Sequence, residues 1–301
     1  PTRRSSDLVK PLFRRDTDVR PALEGSSMWR WAIASLLMVS VLSVAVMLLR
    51  HRRHRRLTLA TLAAERSTKV AQFPVSISTA ACRSDIAAEF AREHIVRIDQ
   101  FLSPESLQLL RHEAECHVER MTPSFIPTHK KGRTLSYEMI QRYAPGCLSF
   151  YHSPQVQDWV SQIVGLPLVP TPDGDQSSLS ILCYREKGDH INWHYDHNFY
   201  RGRHFTVLLS LANETRSGGL SQSQLMRKRT DGEEDIIDTS ANSLVVFEGA
   251  RVLHRASPTA EGDLRIMLSM TYTTDPRTNW LKEFARRIKD TAFYGIRALW
   301  D

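Results

Sequence analysis

The segment "SLVVFEGARVLHRASPTAEGDLRIMLSMTYTTD", residues 243–275, decides the fold class of this chain. It contains three short runs of apolar and β-branched residues separated by glycine, serine or aspartate, which is typical of β-strands joined by short loops. Similar runs precede it, at residues 177–184 and 204–212. Closely spaced strands without helices between them predict a sandwich or jelly roll rather than alternating strand–helix units.

Helices are predicted before these strands. "SPESLQLLRHEAEC" places Ser103 at an N-cap and Pro104 at the first helical position, and "SPQVQDWVSQIVG" repeats the arrangement from Ser153 to a stop at Gly165. The stretch "TRSGGLSQSQLMRKRTDGEED", residues 215–235, is predicted to be a loop-rich excursion, because its apolar residues recur neither at the spacing of a helix nor at the alternation of a strand.

A C-terminal helix is predicted over residues 278–300. One face of this helix carries apolar side chains at helical spacing, namely Leu281, Phe284, Ile288, Ala292, Ile296 and Leu299. We expect this face to pack against the sheet. The alternative is a second contact with a membrane, since basic amphipathic helices also serve that purpose.

The apolar run "WAIASLLMVSVLSVAVMLL", residues 31–49, contains no charged residue and predicts a transmembrane helix. Nineteen helical residues span roughly 28 Å, close to the ~30 Å of a hydrocarbon core. "RHRRHRR" follows at residues 50–56 and, by the positive-inside rule, predicts a single-pass protein whose following domain is cytoplasmic. A cleaved signal peptide is disfavoured because these charges lie on the wrong flank of the run.

These features divide the chain into four predicted segments. Residues 1–27 are polar, unpatterned and expected to be disordered, and Met28 follows them directly, which leaves open whether they belong to the natural chain. Residues 28–50 form the anchor, 51–92 a basic juxtamembrane segment and tether, and 93–301 the folded domain.

The overall charge of +7 does not predict nucleic-acid binding. Residues 1–70 hold 14 Lys and Arg against 5 Asp and Glu, whereas residues 71–301 hold 26 against 28. The basic excess therefore belongs to the N-terminus and not to the folded domain. The four cysteines are widely spaced without a Cys-x-x-Cys pair, which argues against a zinc knuckle or a disulfide scaffold.

The stretch "HINWHYDHNFY", residues 190–200, contains a His-x-Asp pair, His194 and Asp196, and His254 and Arg265 follow downstream. Two imidazoles and one carboxylate can occupy one face of an iron(II) octahedron and leave three positions for a chelating acid and dioxygen. A buried arginine suits the far carboxylate of such an acid. Met267, Ser269 and Thr271 alternate with the same face as Arg265 and predict a partly polar cavity.

The order Tyr184, Gly188, His194-x-Asp196, His254, Arg265 resembles the iron(II)/2-oxoglutarate-dependent oxygenases, specifically the prolyl-4-hydroxylase-like branch. "IDQFLSPESLQLL" and the segment 247–275 are similar to the beginning and the distal part of that catalytic domain. The resemblance implies an α+β protein with a double-stranded β-helix, or jelly roll, and flanking helices. In this chain the transmembrane helix predicted from the apolar run precedes that domain.

The resemblance also implies a role for each matched residue. His194, Asp196 and His254 would bind iron(II), Arg265 would bind the distal carboxylate of 2-oxoglutarate, and Tyr184 would donate to the same cosubstrate. Dioxygen is then the second cosubstrate, and ascorbate is the expected reductant. Substrate contacts are expected from the loop residues Trp193, His197 and Asn198. The stretch "HKKGRTLSY", residues 129–137, is interpreted as either a mobile flap or a plain surface loop.

The phrase "WHYDHNFYRGRHFTVLL", residues 193–209, also resembles oxygenases related to radical halogenases that act on free amino acids. Those halogenases have glycine where this chain has Asp196, so the resemblance implies hydroxylation as the default outcome. The predicted function is hydroxylation of an unactivated C–H bond in an amino acid, a peptidyl side chain or a small metabolite, with succinate and carbon dioxide as co-products. The alternatives are a non-catalytic membrane-tethered binding module, a metal-dependent hydrolase or isomerase, and a halogenase-related oxygenase with another outcome.

Overall fold

A computed structural model of the chain describes residues 24–78 and 85–294. The chain forms two compact units, Pro1–Arg53 and His54–Asp301. The predicted disorder of residues 1–27 falls largely on residues 1–23, which lie outside the described residues. In the described part of the chain, one helix, Met28–Gln72, is long and apolar enough to cross a membrane.

Seven α-helices form in the described residues: α1 Glu24–Gln72, α2 Ile86–Glu93, α3 Pro104–Cys116, α4 Tyr137–Tyr143, α5 Pro145–His152, α6 Pro154–Val164 and α7 Trp280–Tyr294. Helix α3 begins as predicted, because the Ser103 hydroxyl accepts a hydrogen bond from the backbone N–H of Ser106. Helix α6 ends at Gly165, which adopts the left-handed conformation, but the Ser153 side chain makes no capping hydrogen bond.

The strands are β1 Ile95–Ile98, β2 Thr122–Ile126, β3 Lys130–Leu135, β4 Val169–Pro170, β5 Leu179–Tyr184, β6 His190–His194, β7 His204–Thr215, β8 Leu225–Lys228, β9 Glu234–Ile237, β10 Leu244–Phe247, β11 Leu253–Ala256 and β12 Asp263–Thr273. They pair antiparallel in the order β1-β10-β7-β12-β5-β3-β6-β11-β8-β9, with β2 on β3 and β4 on β12. This sheet curls into a nearly closed, jelly-roll-like barrel with helices against its outside, which confirms the predicted fold class.

Strand β12 explains how one sheet serves two environments. Its residues Ile266, Leu268, Met270 and Tyr272 belong to the large apolar core between the sheet and the helices. The alternate residues, Arg265, Met267, Ser269 and Thr271, line the cavity inside the barrel. Because successive side chains in a strand point to opposite faces, the strand stabilises the fold with one set and builds the site with the other.

Two stretches predicted as loops contain strands. Residues 215–235 include β8, which pairs with β9 in a hairpin. Residues 129–137 include β3, which is neither a mobile flap nor a surface loop, because it pairs with both β5 and β6 inside the sheet. The buried positions of β3 include Lys130, Gly132 and Thr134, so this strand lacks the apolar alternation that would have identified it.

The prediction that the apolar face of the C-terminal helix packs against the sheet is wrong. In α7 the side chains of Leu281, Phe284 and Ile288 are each more than half exposed. The buried residues of this helix are charged: Arg286 is 3% exposed and Asp290 is 0% exposed. Ile296, Leu299 and the end of the predicted helix 278–300 lie outside the described residues.

Buried polar contacts explain this inverted orientation of α7. The Arg286 Nη1 group donates to Asp290 Oδ2 at 2.6 Å and to the Gly174 carbonyl oxygen at 2.7 Å. Asp290 Oδ2 also accepts from the backbone N–H of Gln176 at 3.3 Å. Charge-assisted hydrogen bonds of this kind offset the cost of burying both charges.

Candidate active site

The barrel brings together the two histidines and the aspartate that the sequence separates. His194 ends β6 and lies directly opposite His254 of β11 in the sheet. The Nε2 atoms of His194 and His254 lie 3.6 and 3.8 Å from Asp196 Oδ1. These three side chains can offer ligand atoms that all lie within 4.8 Å of one another.

Hydrogen bonds orient each member of this triad. His194 Nδ1 donates to the Asn192 carbonyl oxygen at 2.7 Å, and His254 Nδ1 donates to the Val252 carbonyl oxygen at 2.9 Å. Each bond fixes its ring so that Nε2 is left as the free ligand atom. The Thr206 hydroxyl donates to Asp196 Oδ2 at 2.5 Å, which leaves Asp196 Oδ1 facing the histidines.

The backbone at Gly249 also positions Asp196. The Asp196 N–H donates to the Gly249 carbonyl oxygen at 2.9 Å. A Cβ atom on Gly249 would lie 2.6 Å from Asp196 Cβ and 2.7 Å from its Oδ2. Glycine is therefore required here for the close approach of the backbone, and no pattern in the sequence indicates a role for this position.

Asp196 and His254 are held in the protonation states that a metal ion requires. Burial opposes the ionisation of Asp196, but the neighbouring His254 and His194 rings and the Thr206 hydroxyl outweigh it and hold the pKa of Asp196 well below its usual value. Burial lowers the pKa of His254 despite the nearby carboxylate. A carboxylate beside neutral imidazoles is the form that binds a metal.

The geometry of the triad fits a first-row metal ion. Two ligand atoms bound about 2.1 Å from one ion at a right angle lie roughly 3.0 Å apart. The Nε2–Oδ1 distances of 3.6 and 3.8 Å approach this value, so adjustments of less than about 1 Å would complete the site. Two imidazoles and one carboxylate on one side of an ion form the donor set of non-haem iron(II) oxygenases.

A cavity of about 250 Å³ opens beside the triad and is lined by residues from several strands of the barrel. Arg265 lies in its wall and is only 2% exposed. The guanidinium carbon lies 5.6 Å from the centre of the Tyr184 ring, and Nε has no hydrogen-bond partner. Among the described residues no carboxylate pairs with this guanidinium, and burial lowers its pKa while the Tyr184 ring acts in the opposite direction.

A buried arginine without a counter-ion fits the distal carboxylate of 2-oxoglutarate, because an unpaired buried charge is costly and a guanidinium binds carboxylates with two hydrogen bonds. Gly132 lies next to the Tyr184 ring of this wall. A Cβ atom on Gly132 would lie 3.1 Å from the Tyr184 ring, so the glycine leaves space for the ring beside Arg265.

The register of β12 shows that the cavity has two ends. Arg265 pairs with Tyr184 of β5, and Thr271 pairs with Thr206 of β7, the residue that holds Asp196. Thr271 follows Arg265 by six residue steps along the strand, which is roughly 20 Å. Helix α7 contributes Lys289, Phe293 and Tyr294 to the cavity lining.

The three predicted substrate residues lie in different places. His197 lines the cavity. Trp193 lies outside the lining and packs under the Arg255 guanidinium, 4.6 Å from its carbon. Asn198 also lies outside it: its Nδ2 donates to the Gly202 carbonyl oxygen at 2.7 Å, and its Oδ1 accepts from the Tyr200 N–H at 2.9 Å. Asn198 therefore stabilises the loop that carries it.

Further charged or polar residues line the cavity, and they include Lys130, Asp175, His204 and Lys289. His204 is buried, and its Nδ1 atom has no hydrogen-bond partner within the described part of the chain. Lys130 lies on the strand that the sequence did not reveal, and Lys289 lies on the buried face of α7. Their positions depend on long-range packing, so the local sequence could not have indicated them.

Comparisons with known proteins agree with this architecture. The family model HalD, described as Halogenase D, matches residues 78–293. No curated protein matches the sequence. A prolyl-4-hydroxylase from Pseudomonas putida is similar to the chain, with a TM-score of 0.50 and 19% identity over 64% of this chain and 97% of that one.

Two further solved structures share the fold. AviO1 from Streptomyces viridochromogenes Tue57 has a TM-score of 0.53 and 16% identity over 67% of this chain and 99% of its own. The epimerase SnoN, in complex with Fe3+, alpha ketoglutarate and nogalamycin RO, has a TM-score of 0.52 and 12% identity over 62% of this chain and 82% of its own. These likenesses confirm the predicted resemblance at the level of the fold. Since the family model covers most of the chain, the protein belongs to the Halogenase D family and has the fold of prolyl-4-hydroxylase-like iron(II)/2-oxoglutarate-dependent oxygenases.

Proposed function

We propose that the protein is a membrane-anchored iron(II)/2-oxoglutarate-dependent dioxygenase that hydroxylates an unactivated C–H bond of a small molecule or a peptidyl side chain. One observation carries this proposal: a triad of two imidazoles and a carboxylate shares a small cavity with a buried arginine that has no counter-ion among the described residues. Neither feature stabilises the fold by itself, and each matches one part of the same cofactor pair.

The proposed roles follow from the atoms that face the cavity. His194 Nε2, Asp196 Oδ1 and His254 Nε2 would bind iron(II), and Arg265, with Tyr184 beside it, would bind the distal carboxylate of 2-oxoglutarate. When bound, iron and 2-oxoglutarate together supply the oxidant from dioxygen, with succinate and carbon dioxide as co-products and ascorbate as the reductant that keeps the iron ferrous.

The protein itself orients these groups and keeps water away from them. Phe247 packs edge-on against the His254 ring, with the ring centres 4.7 Å apart. Leu208 and Met267 belong, with Phe247, to the apolar cluster inside the barrel. An apolar surround of this kind fixes the histidine rings and limits the access of water to a reactive centre.

Asp196 favours hydroxylation over halogenation within this family. A halide needs an open metal position, and a carboxylate held by Thr206 and by the Gly249 backbone fills that position. Solved structures with this fold include an epimerase and a carbocyclase, so the fold alone does not dictate the outcome. Product analysis by mass spectrometry distinguishes a gain of one oxygen atom from isomerisation or ring closure.

The membrane association is proposed from helix α1. The apolar residues 31–49 and the arginines of residues 50–56 favour a single anchor with the oxygenase domain on the cytoplasmic side. An integral protein will remain in the membrane pellet after alkaline carbonate extraction. The proposed orientation predicts that protease removes the oxygenase domain from inside-out vesicles but not from right-side-out vesicles.

The decisive test of the enzymatic proposal is anaerobic addition of iron(II) and 2-oxoglutarate to the full chain. We expect the weak visible charge-transfer band of the chelate, and then succinate release in air when amino acids, peptides and small metabolites are screened with ascorbate. Asp196→Ala should lose both signals, whereas Asp238→Ala, which removes a half-exposed carboxylate outside the cavity lining, should keep them. A wild-type protein that gives no band is a binding module, and turnover independent of 2-oxoglutarate indicates hydrolase or isomerase chemistry.

A further inference from the structure

The outward face of helix α7 leaves large apolar side chains in contact with solvent. Trp280, Leu281, Phe284 and Ile288 are 77%, 59%, 56% and 52% exposed, and Ala285 beside them is exposed as well. With about 150–250 Å² for an aromatic side chain and somewhat less for an aliphatic one, these four side chains expose on the order of 500 Å² of apolar surface. An exposed apolar patch of this size is often functional, as a contact site for a protein or a membrane.

The buried ion pair of α7 fixes which side of the helix faces outward. Arg286 and Asp290 lie on the opposite side, where both are buried and bonded to each other at 2.6 Å. Asp290 Oδ1 also lies 3.1 Å from Lys289 Nζ. Turning the apolar side inward would separate these ions from their partners, which is costly for buried charges. The outward apolar patch is therefore built into the fold.

The exposed charge beside this patch is basic. Helix α7 carries four basic residues against two acidic ones, Glu283 and Asp290. Glu283 Oε1 accepts from Arg286 Nη2 at 2.8 Å and from Arg287 Nε at 2.9 Å, and Asp290 is fully buried. Arg287 remains partly exposed and follows Phe284 by three residues, so the two are neighbours on the helix surface. Helices with Trp, Phe and Leu on one face and a basic polar face are typical of those that lie in a membrane interface.

A second copy of the chain fits this patch less well than a lipid surface does. A stable dimer buries about 800 Å² of each partner, which is more than the four side chains expose. In a two-fold dimer the patch would meet itself, so the Arg287 side chains of both copies would approach each other and repel. A bilayer with anionic headgroups supplies both an apolar environment and the opposite charge.

We propose that the outward face of α7 lies on an anionic membrane surface, with its four large apolar side chains below the headgroups and Arg287 at the lipid phosphates. The inference rests on the membrane association proposed above, because the anchor keeps the domain close to a bilayer. It is independent of the reaction that the domain catalyses. Since Lys289 and Phe293 of the same helix line the cavity, α7 would have lipid on one side and the candidate active site on the other.

The test measures the surroundings of α7 in the full chain reconstituted into bilayer nanodiscs. A polarity-sensitive fluorophore is attached to Ala285→Cys in the patch or to Asp231→Cys in the exposed turn between β8 and β9. Both are made in a background with Cys82→Ser and Cys116→Ser, since the remaining cysteines are buried.

The discs contain phosphatidylcholine alone or mixed with phosphatidylglycerol, each with and without a lipid that carries a quencher near its headgroup. We expect the fluorophore at residue 285 to be blue-shifted and quenched in the anionic discs and less so in the neutral ones. The fluorophore at residue 231 should show neither effect.

Two double substitutions distinguish the α7 face from exposed hydrocarbon elsewhere. Phe284→Ser/Ile288→Ser should reduce the quenching at residue 285 to the level at residue 231. The matched control, Leu220→Ser/Ile236→Ser, removes two exposed apolar side chains outside α7 and should leave the quenching at residue 285 unchanged. Both variants should keep nearly the same melting temperature, because surface substitutions change stability little. Arg287→Gln should remove the difference between anionic and neutral discs.

The adverse results are distinct from one another. No quenching at residue 285 in either disc, or an equal loss of quenching in the Leu220→Ser/Ile236→Ser control, would show that this face does not bind lipid. A blue shift that arises without quenching by lipid and increases with protein concentration would identify a second copy as the occupant and refute the inference.

Failure of the anchor is recognised separately, because alkaline carbonate would then release the chain from membranes. If residue 285 of such a chain were still quenched by added phosphatidylglycerol vesicles, the α7 contact would stand without the anchor. If it were not quenched, the membrane association and this inference would both be wrong.

Discussion

Replacing Gly249 with alanine tests whether the backbone beside Asp196 sets the geometry of the proposed metal site. The new Cβ atom would lie 2.6 Å from Asp196 Cβ, whereas unstrained carbon–carbon contacts are about 3.5–4.0 Å. Asp196 must therefore shift by about 1 Å. It cannot follow its own backbone away from the alanine, because its N–H is bonded to the Gly249 carbonyl oxygen at 2.9 Å.

A displacement of this size exceeds the tolerance of a metal ligand, which is about 0.2 Å. We expect Gly249→Ala to weaken metal binding by roughly 10- to 100-fold, the range found when a group supporting a metal ligand is lost. That loss corresponds to about 1.4–2.8 kcal/mol of binding free energy. The melting temperature of the metal-free protein should fall much less than it does for an overpacked core.

The assay is an anaerobic titration with iron(II) in the presence of saturating 2-oxoglutarate, read from the charge-transfer band. Gly174→Ala is the control, since the nearest atom to its new Cβ would be Arg286 Nη2 at 3.9 Å. A Gly249→Ala protein that binds iron as tightly as the wild type would show that Asp196 is not held by this backbone contact, or is not a ligand.

Three further perturbations address other parts of the domain. Arg265→Met should raise the dissociation constant of 2-oxoglutarate by roughly 30- to 150-fold, equivalent to a charged hydrogen bond of about 2–3 kcal/mol, and should leave iron(II) binding in the absence of 2-oxoglutarate unchanged, as measured by anaerobic equilibrium dialysis. Burial, aided by the Arg66 charge, lowers the pKa of His152 to about 4. Between pH 6.5 and 4 the unfolded chain therefore binds more protons than the folded protein, so the stability falls as the pH falls through that window. His152→Gln, which can still bond the Tyr137 hydroxyl, should remove roughly 2–3 kcal/mol of that acid-dependent loss in urea unfolding, and an unchanged pH profile would contradict the buried neutral state. Arg286→Met should destabilise the domain by about 3 kcal/mol because Asp290 loses its buried guanidinium partner and keeps the ion pair with Lys289, whereas Arg286→Met/Asp290→Leu should recover most of the loss; a double variant no more stable than the single one would show that α7 is held by other contacts.

The sequence predicted the barrel where its strands carry an ordinary apolar pattern. Strands β7, β10 and β12 bury apolar side chains on the helix-covered face, so their periodicity survives in the sequence. Strand β3 was missed because three of its four buried positions are occupied by Lys130, Gly132 and Thr134. Those residues are buried for reasons that belong to the cavity, and a rule based on hydrophobicity cannot detect them.

The orientation of α7 was missed for a related reason. Its apolar stripe implied a buried face, but the partners that reverse it, Gly174, Asp175 and Gln176, lie more than a hundred residues away in the chain. The N-caps show the same limit on a smaller scale. Ser103 and Ser153 occur in equivalent sequence contexts, yet only the Ser103 side chain makes a capping hydrogen bond.

The residues of the candidate site also differ in whether the sequence alone predicts them. The positions of His194, Asp196 and His254 in one cluster were predictable, because a fold with a known ligand order ties sequence spacing to position. Gly249 and His204 carry no such spacing. Their contribution depends on a backbone approach and on a buried orphan nitrogen, and both become visible only in three dimensions.

Helix α7 closes one side of the cavity with charges turned inward and hydrocarbon turned outward. Apolar packing, which holds the barrel walls together, weakens on cooling, whereas the desolvation penalty of buried ions is largest in the cold and decreases on warming. The apolar wall and its charged cover therefore weaken together on cooling, although for different physical reasons. The cavity should accordingly be least tightly enclosed in the cold.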